Sequence, residues 1–452
     1  MVEETVGLRR IGAATVSGAF GSFLEFYTLY IAGFAAGAVW PIIFFHGLNP
    51  TLAFILAELA FFITYIFRPV GGFIFGHLGD KFGRRNTLVM TLILVSVGTL
   101  LIGVTPDASS VGAFAPIFIT LMRVVTGIGL GGEYGGSATL ISETARKSKY
   151  RYFWNAFVAL PIGLGALVST LTFDGITASM THSVFLSVGW RYPFIIGGII
   201  GFFGILIRLR VRETPSFEEL KQKKEVEKSP AINAFRYHWK AMAVMILAFM
   251  SINTIPMVEV PYSFSYLGAM HFPATSTFMA YAVSQVFYIA FGFTAGILAS
   301  ITGRKKLIAT AGAGMGAMFV WLFFPLIGTL SFGTVALGMI LLSFTAFQQG
   351  LTPSILTEGF PAKYRYTGAG FSLQMTSAVT AVIAFLSQGY AEATLGVIKG
   401  AIYVQVAYFV VAIISFVTLL LVVKPTKGLE EVVQAPSGGM AVPEAFGATG
   451  ED

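Results

Sequence analysis

A succession of apolar runs, each close to twenty residues or longer and separated by short polar breaks, constrains this chain more than any other feature. A helix rises about 1.5 Å per residue, so about twenty apolar residues cross the hydrocarbon core of a bilayer. Twelve runs can be counted, at approximately 12–40, 52–78, 86–104, 116–143, 153–173 and 190–208, then 240–268, 274–299, 306–328, 332–357, 367–391 and 400–423. They are continuous and rich in Gly and Phe, whereas the strands of a closed barrel would alternate over segments of about ten residues. Composition agrees: 55% of the 452 residues are hydrophobic and 11% are charged, against about a quarter charged in a soluble domain. The chain reads as an all-α protein of the cell membrane with twelve transmembrane helices.

The position of the positive charges predicts topology. With the N-terminus placed inside, the polar segments on that side hold 25 of the 29 Lys and Arg residues: Arg9 and Arg10, Lys81 to Arg85, Arg146 to Arg151, Arg208 to Lys240, Arg304 to Lys306, Lys363 and Arg365, then Lys424 and Lys427. Arg68 and Arg123 fall within runs, and Arg191 and Lys399 lie near the outer face. This bias predicts that both termini are cytoplasmic. It also accounts for the net charge of +7 without a nucleic-acid partner. The opening MVEETVGLRR carries acids before its arginines and leads into a long apolar run without a small-residue cleavage site, so it is expected to enter a first span and not to be a removed signal. The chain has no cysteine, which excludes disulfides, thiol catalysis and thiolate metal sites. His46, His77, His182, His238 and His271 are scattered; no metal, cofactor or enzyme site is expected.

One charged stretch occurs twice. Gly76 to Arg85 reads GHLGDKFGRR and Gly296 to Lys305 reads GILASITGRK, so Gly76, Asp80, Gly83 and Arg84 correspond to Gly296, Ser300, Gly303 and Arg304 at a constant offset of 220 residues. The repeat predicts two six-helix halves, 1–210 and 240–423, joined by a cytoplasmic segment at 211–239 and followed by a disordered tail at 424–452. With both copies on the same side, the halves share one orientation and are related by a pseudo-two-fold axis along the membrane normal. The joining segment reads either as a helix on the membrane surface or as a solvated linker.

Charges inside apolar runs require explanation, because an ion at the bilayer centre costs several kcal/mol and must face protein or a wet cavity. Glu25 lies near the middle of the first run, with Gly18 and Gly21 on nearly the same helical face. It is either a proton-binding or substrate-contacting acid or a structural acid paired with an arginine. Arg123 and Glu133 are ten residues apart in the fourth run, which places them within about 80° on one broad face but roughly 15 Å apart along the axis, too far to pair. The planar fork of Arg123 suits a substrate carboxylate, with a structural ion pair as the alternative; Glu133 is a second proton-coupling candidate. Arg68, before Pro69, is expected to neutralise an acid on a neighbouring helix. The glycines from Gly127 to Gly136 are read as helix-packing positions and not as a nucleotide fingerprint, which would need a strand before them. The seventh run holds Asn253, Glu259, Tyr262 and Tyr266 around Pro256 and Pro261, the pattern of a broken, moving span. Gln348, Gln349 and Gln374 offer neutral hydrogen bonds to a substrate or between helices.

Gly76, Asp80, Gly83, Arg84 and Arg85 match the signature G-x-x-x-D-x-x-G-R-[RK] between the second and third spans of the major facilitator superfamily, which the chain resembles. Within it the chain is similar to the metabolite:proton symporters, on EFYTLY at Glu25 to Tyr30, RPVGG at Arg68 to Gly72, RVVTGIGLGGEYGG at Arg123 to Gly136, GWRYPF at Gly189 to Phe194 and TEGFPAKYRYTG at Thr357 to Gly368. The resemblance implies alternating-access transport of a small organic metabolite, a carboxylate by our reading, with proton symport. It implies a cytoplasmic gate at Gly76, Asp80, Gly83, Arg84, Arg85, Glu143, Arg151, Glu358 and Arg365, whereas topology determination alone would also explain charge at a membrane edge. Glu25, Tyr27, Arg123, Glu133, Gln348 and Gln374 are the candidates for substrate or proton, and Arg68 for a structural or gating role. Thr28 stands where these relatives carry Asp, Ser300 where the second motif copy would have Asp, and GFSLQMTSAVT lacks the Asn and paired Gly expected there. A proton-independent facilitator or antiporter of the same fold, and a sensor without turnover, are the alternatives. Proton, substrate and lipid are the expected partners of a functional monomer.

Overall fold

The computed structural model describes residues 2–159 and 161–423; the expected tail at 424–452 lies outside them. Regular structure among the described residues is helical throughout. Among the described residues, ten helices are long and apolar enough to cross a membrane: Gly7–Ala38, Leu52–Phe82, Arg84–Gly103, Phe114–Thr144, Arg151–Ala178, Gly189–Leu209, Thr275–Thr302, Lys305–Ile327, Phe332–Glu358 and Arg365–Val422. Polarity is arranged for a lipid solvent. Ile117 and Ile402 are 65% and 70% exposed, while Arg84, Glu143 and Arg365 are wholly buried, as expected where the surroundings are hydrocarbon and charge must turn inward.

The difference from twelve runs has two local causes. The run at 240–268 is broken, as its prolines predict, into the end of Pro230–Ala248, then Met250–Met257, a π-helical turn at Val258–Tyr262, and Ser263–Ala269. The last two runs are joined as Arg365–Val417, within which Gly396 alone leaves helical geometry (φ 73°, ψ 157°). A straight helix would separate Gln388 from Tyr408 by roughly 30 Å, yet Gln388 donates to the Tyr408 hydroxyl at 2.6 Å. The chain therefore doubles back at Gly396, a conformation that glycine adopts without a Cβ penalty.

Glycine contacts bring the helices close. A Cβ at Gly127 would lie 2.6 Å from the carbonyl oxygen of Thr64, so the glycine-rich stretch packs the Phe114–Thr144 helix against Pro50–Phe82, where larger residues would hold the backbones apart. Both motif copies place a positive-φ glycine between consecutive spans, in different conformations: Gly83 has φ 108° and ψ 150°, and Gly303 is left-handed with φ 70° and ψ 0°.

The joining segment is an ordered strap. Thr214 caps the helix Pro215–Gln222, accepting the N–H of Phe217 at 3.3 Å, and Phe217 and Leu220 are buried. The Arg84 guanidinium lies 5.0 Å above the Phe217 ring. Glu213 accepts the N–H groups of Arg84 at 3.0 Å and Arg85 at 3.2 Å, holding the strap against the first motif copy.

Candidate functional site

A chain of polar contacts crosses the middle of the molecule. Glu25, 1% exposed, is ion-paired with Arg68, the kind of neutralisation expected for Arg68 from sequence. The same guanidinium donates through Nε to Gln374 Oε1 at 2.8 Å, and Gln374 donates to the carbonyl of Leu130 at 3.3 Å. Arg68 thus ties an acid of the first helix to the Arg365–Val417 helix of the second half. Glu25 keeps one buried oxygen, Oε2, without a hydrogen-bond partner. Thr28 does not reach this chain: its hydroxyl donates to the carbonyl of Glu25, one turn back, at 2.9 Å.

Arg123 is different in kind. It is 1% exposed, its guanidinium lies 5.4 Å over the Phe61 ring, and its hydrogen bond is a long one, 3.4 Å, to the Phe61 carbonyl. Its Nε is buried and unpartnered. Arg68, Arg84, Arg208 and Arg365 are buried as well, and each contacts a carboxylate. No carboxylate among the described residues pairs with Arg123. Tyr65 lies within electrostatic reach of Arg123, Arg68 and Glu25, so the unpaired cation and the central chain border one region.

Glu133 does not join that region as an open acid. Arg208 grips both its oxygens, Thr91 donates to it at 3.0 Å and Ser137 at 3.1 Å. Gly21 makes room for the pair, since a Cβ there would overlap both side chains. Sequence reading missed Arg208, because a cation on the last turn of an apolar run gives no sign of turning inward. Tyr27 and Gln348 are also occupied elsewhere. The Tyr27 hydroxyl donates to the carbonyl of Pro193 at 3.0 Å, and Gln348 accepts from Ser251 at 2.6 Å while donating to the carbonyl of Ala248 at 2.9 Å.

At the end carrying the motif copies, residues before 210 are bonded to residues after 240. Asp80 accepts the N–H groups of Tyr366 and Thr367 at 3.2 and 2.9 Å and the Thr367 hydroxyl at 2.9 Å, which caps the Arg365–Val417 helix with a favourable negative charge. A Cβ at Gly76 would fall 2.6 Å from Thr367 Cα. Ser300 does the matching task in the other half, accepting the Phe153 N–H at 3.3 Å near the start of the helix Arg151–Ala156. The capped segments share a tetrad, Lys149-Tyr150-Arg151-Tyr152 and Lys363-Tyr364-Arg365-Tyr366, a signal that marks the paired sites in sequence. Glu143 pairs with Arg365 at 2.7 Å and Arg84 at 3.4 Å. Glu358 pairs with Lys305, and Arg146 pairs with Glu219 of the strap. Arg151 donates to the Tyr152 hydroxyl at 3.0 Å, and Arg85 to the carbonyl of Leu209 at 2.5 Å. Between these charges run Ser142 to Asn155 (3.0 Å), Asn155 to Ser354 (2.8 Å) and Thr357 to Ser142 (2.9 Å).

The chain is 32% identical over 380 residues to the inner membrane metabolite transport protein YhjE of Escherichia coli K12, with 82% of this chain and 85% of that one covered. It belongs to the major facilitator superfamily. Residues 14–236 match the family model described as "Sugar (and other) transporter". The shikimate transporter of Escherichia coli K12 is 28% identical, covering 83% of this chain and 87% of that one. The glycine betaine/proline/ectoine/pipecolic acid transporter OusA of Dickeya dadantii is also 28% identical, covering 93% and 85%. Among solved structures, the superfamily's proton:xylose symporter XylE, bound to 6-bromo-6-deoxy-D-glucose, aligns over 92% of this chain and 95% of its own, with a TM-score of 0.71 and 16% identity. This superfamily member is a multi-pass transporter of the cell membrane.

Proposed function

We propose that this transporter carries a small organic carboxylate together with a proton by alternating access. Two six-helix halves, 1–210 and 240–423, rock about a central site, and the strap at 211–239 joins them on the cytoplasmic side, where both termini lie. Twelve crossings follow if the broken run at 240–268 counts as one pass and the reversal at Gly396 divides two more. The observation that carries the reading is Arg123, the buried arginine left without an acid. A desolvated guanidinium without a counter-ion is costly, and a carboxylate received by its fork would remove that cost with two parallel hydrogen bonds. Glu25 is the proton carrier of choice over Glu133, because it keeps an unpartnered oxygen whereas Glu133 is fully engaged. Protonating Glu25 weakens its hold on Arg68 and, through Arg68, the contact with Gln374 across the halves.

Purified protein in liposomes supplies the test, with shikimate and L-proline as first cargoes. An inside-alkaline pH gradient is expected to drive accumulation by the parent, while Glu25→Gln loses that drive and retains cargo exchange at equal pH. Arg123→Lys is expected to lower uptake at least about tenfold, since a point charge cannot reproduce the planar fork. Parent uptake indifferent to the gradient would instead favour a facilitator or antiporter. Thr28 supports that second reading, because a hydroxyl bonded to its own helix cannot carry the proton that an aspartate would.

A further inference from the structure

Glu259 is a buried acid that the proposed cycle leaves unused. It is 4% exposed and lies on the π-helical turn Val258–Tyr262, and no Lys or Arg among the described residues forms an ion pair with it. Its contacts place a proton on it. The Ser284 hydroxyl oxygen lies 2.9 Å from Glu259 Oε1, 2.7 Å from the carbonyl oxygen of Tyr281 and 3.4 Å from Gln285 Nε2. A hydroxyl has one proton to give and two lone pairs to fill. All three contacts are satisfied together when Glu259 is protonated: Glu259 and Gln285 donate to Ser284, and Ser284 donates to Tyr281. An ionised Glu259 would compete with the Tyr281 carbonyl for the single Ser284 proton and would still face no cation. The other titratable groups within its electrostatic reach are the hydroxyls of Tyr30, Tyr281 and Tyr288. From the Arg365–Val417 helix, Gln388 donates to the carbonyl of Met257 beside the turn at 3.0 Å, and Glu392, which is exposed, acts on Tyr262.

Glu25 can be buried in either form, because Arg68 answers its charge when it is ionised. Glu259 has no such partner, so only its neutral form is buried cheaply, and its ionised form needs water. The site also lies away from the motif copies. Ser284 precedes Gly303, the glycine that ends its helix, by roughly 28 Å of helix. One turn further from Gly303, the Tyr281 hydroxyl meets that of Tyr30 across the halves at 3.1 Å. Protonated Glu259 therefore completes the hydrogen bonding of the helical turn that carries this cross-half contact. We propose that Glu259 is a pH-sensitive switch: when protonated it lets the end remote from the motif copies close through Tyr30 and Tyr281, and when ionised it holds that end open and stops the cycle. The switch sets how fast the carrier runs and not how far a gradient drives it. This inference rests on the alternating-access reading.

On that reading, opening of the end carrying the motif copies uncovers Ser142, so a Ser142→Cys thiol in the otherwise cysteine-free full-length protein reports the switch without any cargo. Its labelling rate is measured in liposomes at equal pH on both sides, from about pH 6 to about pH 9, with Glu259 intact and with Glu259→Gln. The ratio of the two rates at each pH cancels the titration of the thiol itself. Glu259→Gln mimics the protonated acid, so the ratio is expected to stay near one at the acid end, which also shows the variant folded. It should rise about tenfold or more towards the alkaline end, since one proton permits up to about tenfold per pH unit. Normalised to the same thiol in detergent-unfolded protein, labelling with Glu259 intact should fall by the same factor, a measurement that needs no variant at Glu259. A flat ratio and a flat normalised rate, with labelling measurable, would overturn the switch and leave alternating access standing. No labelling at any pH in any background, Asp80→Asn included, would overturn both.

Discussion

Glu133 and Glu25 are buried carboxylates beside arginines, and they differ in what is left over. Arg208, Thr91 and Ser137 occupy both oxygens of Glu133, so its role is to hold three helices in register. Removing one partner of such a pair leaves a buried charge alone and costs about 3–5 kcal/mol. Glu133→Gln is therefore expected to lower the melting temperature of the purified protein by many degrees. The double change Glu133→Leu with Arg208→Met, which removes both charges, should restore most of the loss. A single variant that melts like the parent yet fails to couple uptake to a pH gradient would return Glu133 to the proton path. Glu25 and Arg68 were legible in sequence because each interrupts an apolar run, where charge needs a reason. Arg208 was not, because it sits at the end of its run, and only the folded chain shows it turning inward to a residue 75 positions away.

The two motif copies place unequal caps on corresponding helices. Asp80 offers a charged acceptor to three donors, whereas Ser300 offers a hydroxyl to one. Hydrogen bonds to a charged group contribute about 1.5–3 kcal/mol, which is roughly tenfold to hundredfold in a two-state equilibrium. Asp80→Asn is expected to open this end. Because the chain has no cysteine, a Ser142→Cys reporter can be read cleanly, and its thiol-labelling rate should rise at least about tenfold in the Asp80→Asn background and fall with Ser300→Asp. Equal labelling in all three backgrounds would remove the caps from the gate. The strap makes a pH-dependent prediction. Burial pushes the Glu213 carboxyl above its ordinary value of 4.5, against the pull of the N–H groups of Thr214 and Arg85 and the charge of Arg84. As pH rises past that value the unfolded chain releases a proton that the folded chain retains, so this group's contribution to stability falls with rising pH. Glu213→Gln should flatten the melting-temperature profile above pH 4.5 and leave the protein at least as stable at pH 7; a lower melting temperature at pH 7 would contradict it. The apolar runs made the spans readable. The capping partners escaped because the tetrads at Lys149 and Lys363 gain meaning only when each is seen beneath a motif copy of the opposite half.

Across the whole molecule, the hydrogen bonds and ion pairs that join the halves among the described residues gather at the end carrying the motif copies. Closer to the centre are the Arg68–Gln374 and Gln374–Leu130 bonds, and Tyr30–Tyr281 is a further link. On the alternating-access reading proposed above, such a distribution corresponds to a carrier closed on one side, and rocking would have to exchange these contacts for others of similar total strength if both states are to be visited. The Ser142–Thr357 pair lies within that closed layer, with its hydroxyl oxygens 2.9 Å apart. Cysteines at both positions should form a disulfide in the resting protein and fix the end shut. Uptake into liposomes is then expected to fall more than about tenfold under oxidant and to recover with a reductant, a contrast that a covalent lock on one of two required states must produce. A cross-linked protein that still accumulates cargo at the parent rate would mean that this end need not open, and rocking of the halves about a central site would have to be abandoned. A lock that abolishes accumulation yet preserves ligand binding measured from the opposite side would show that the central charges remain reachable with this end shut, as alternating access requires.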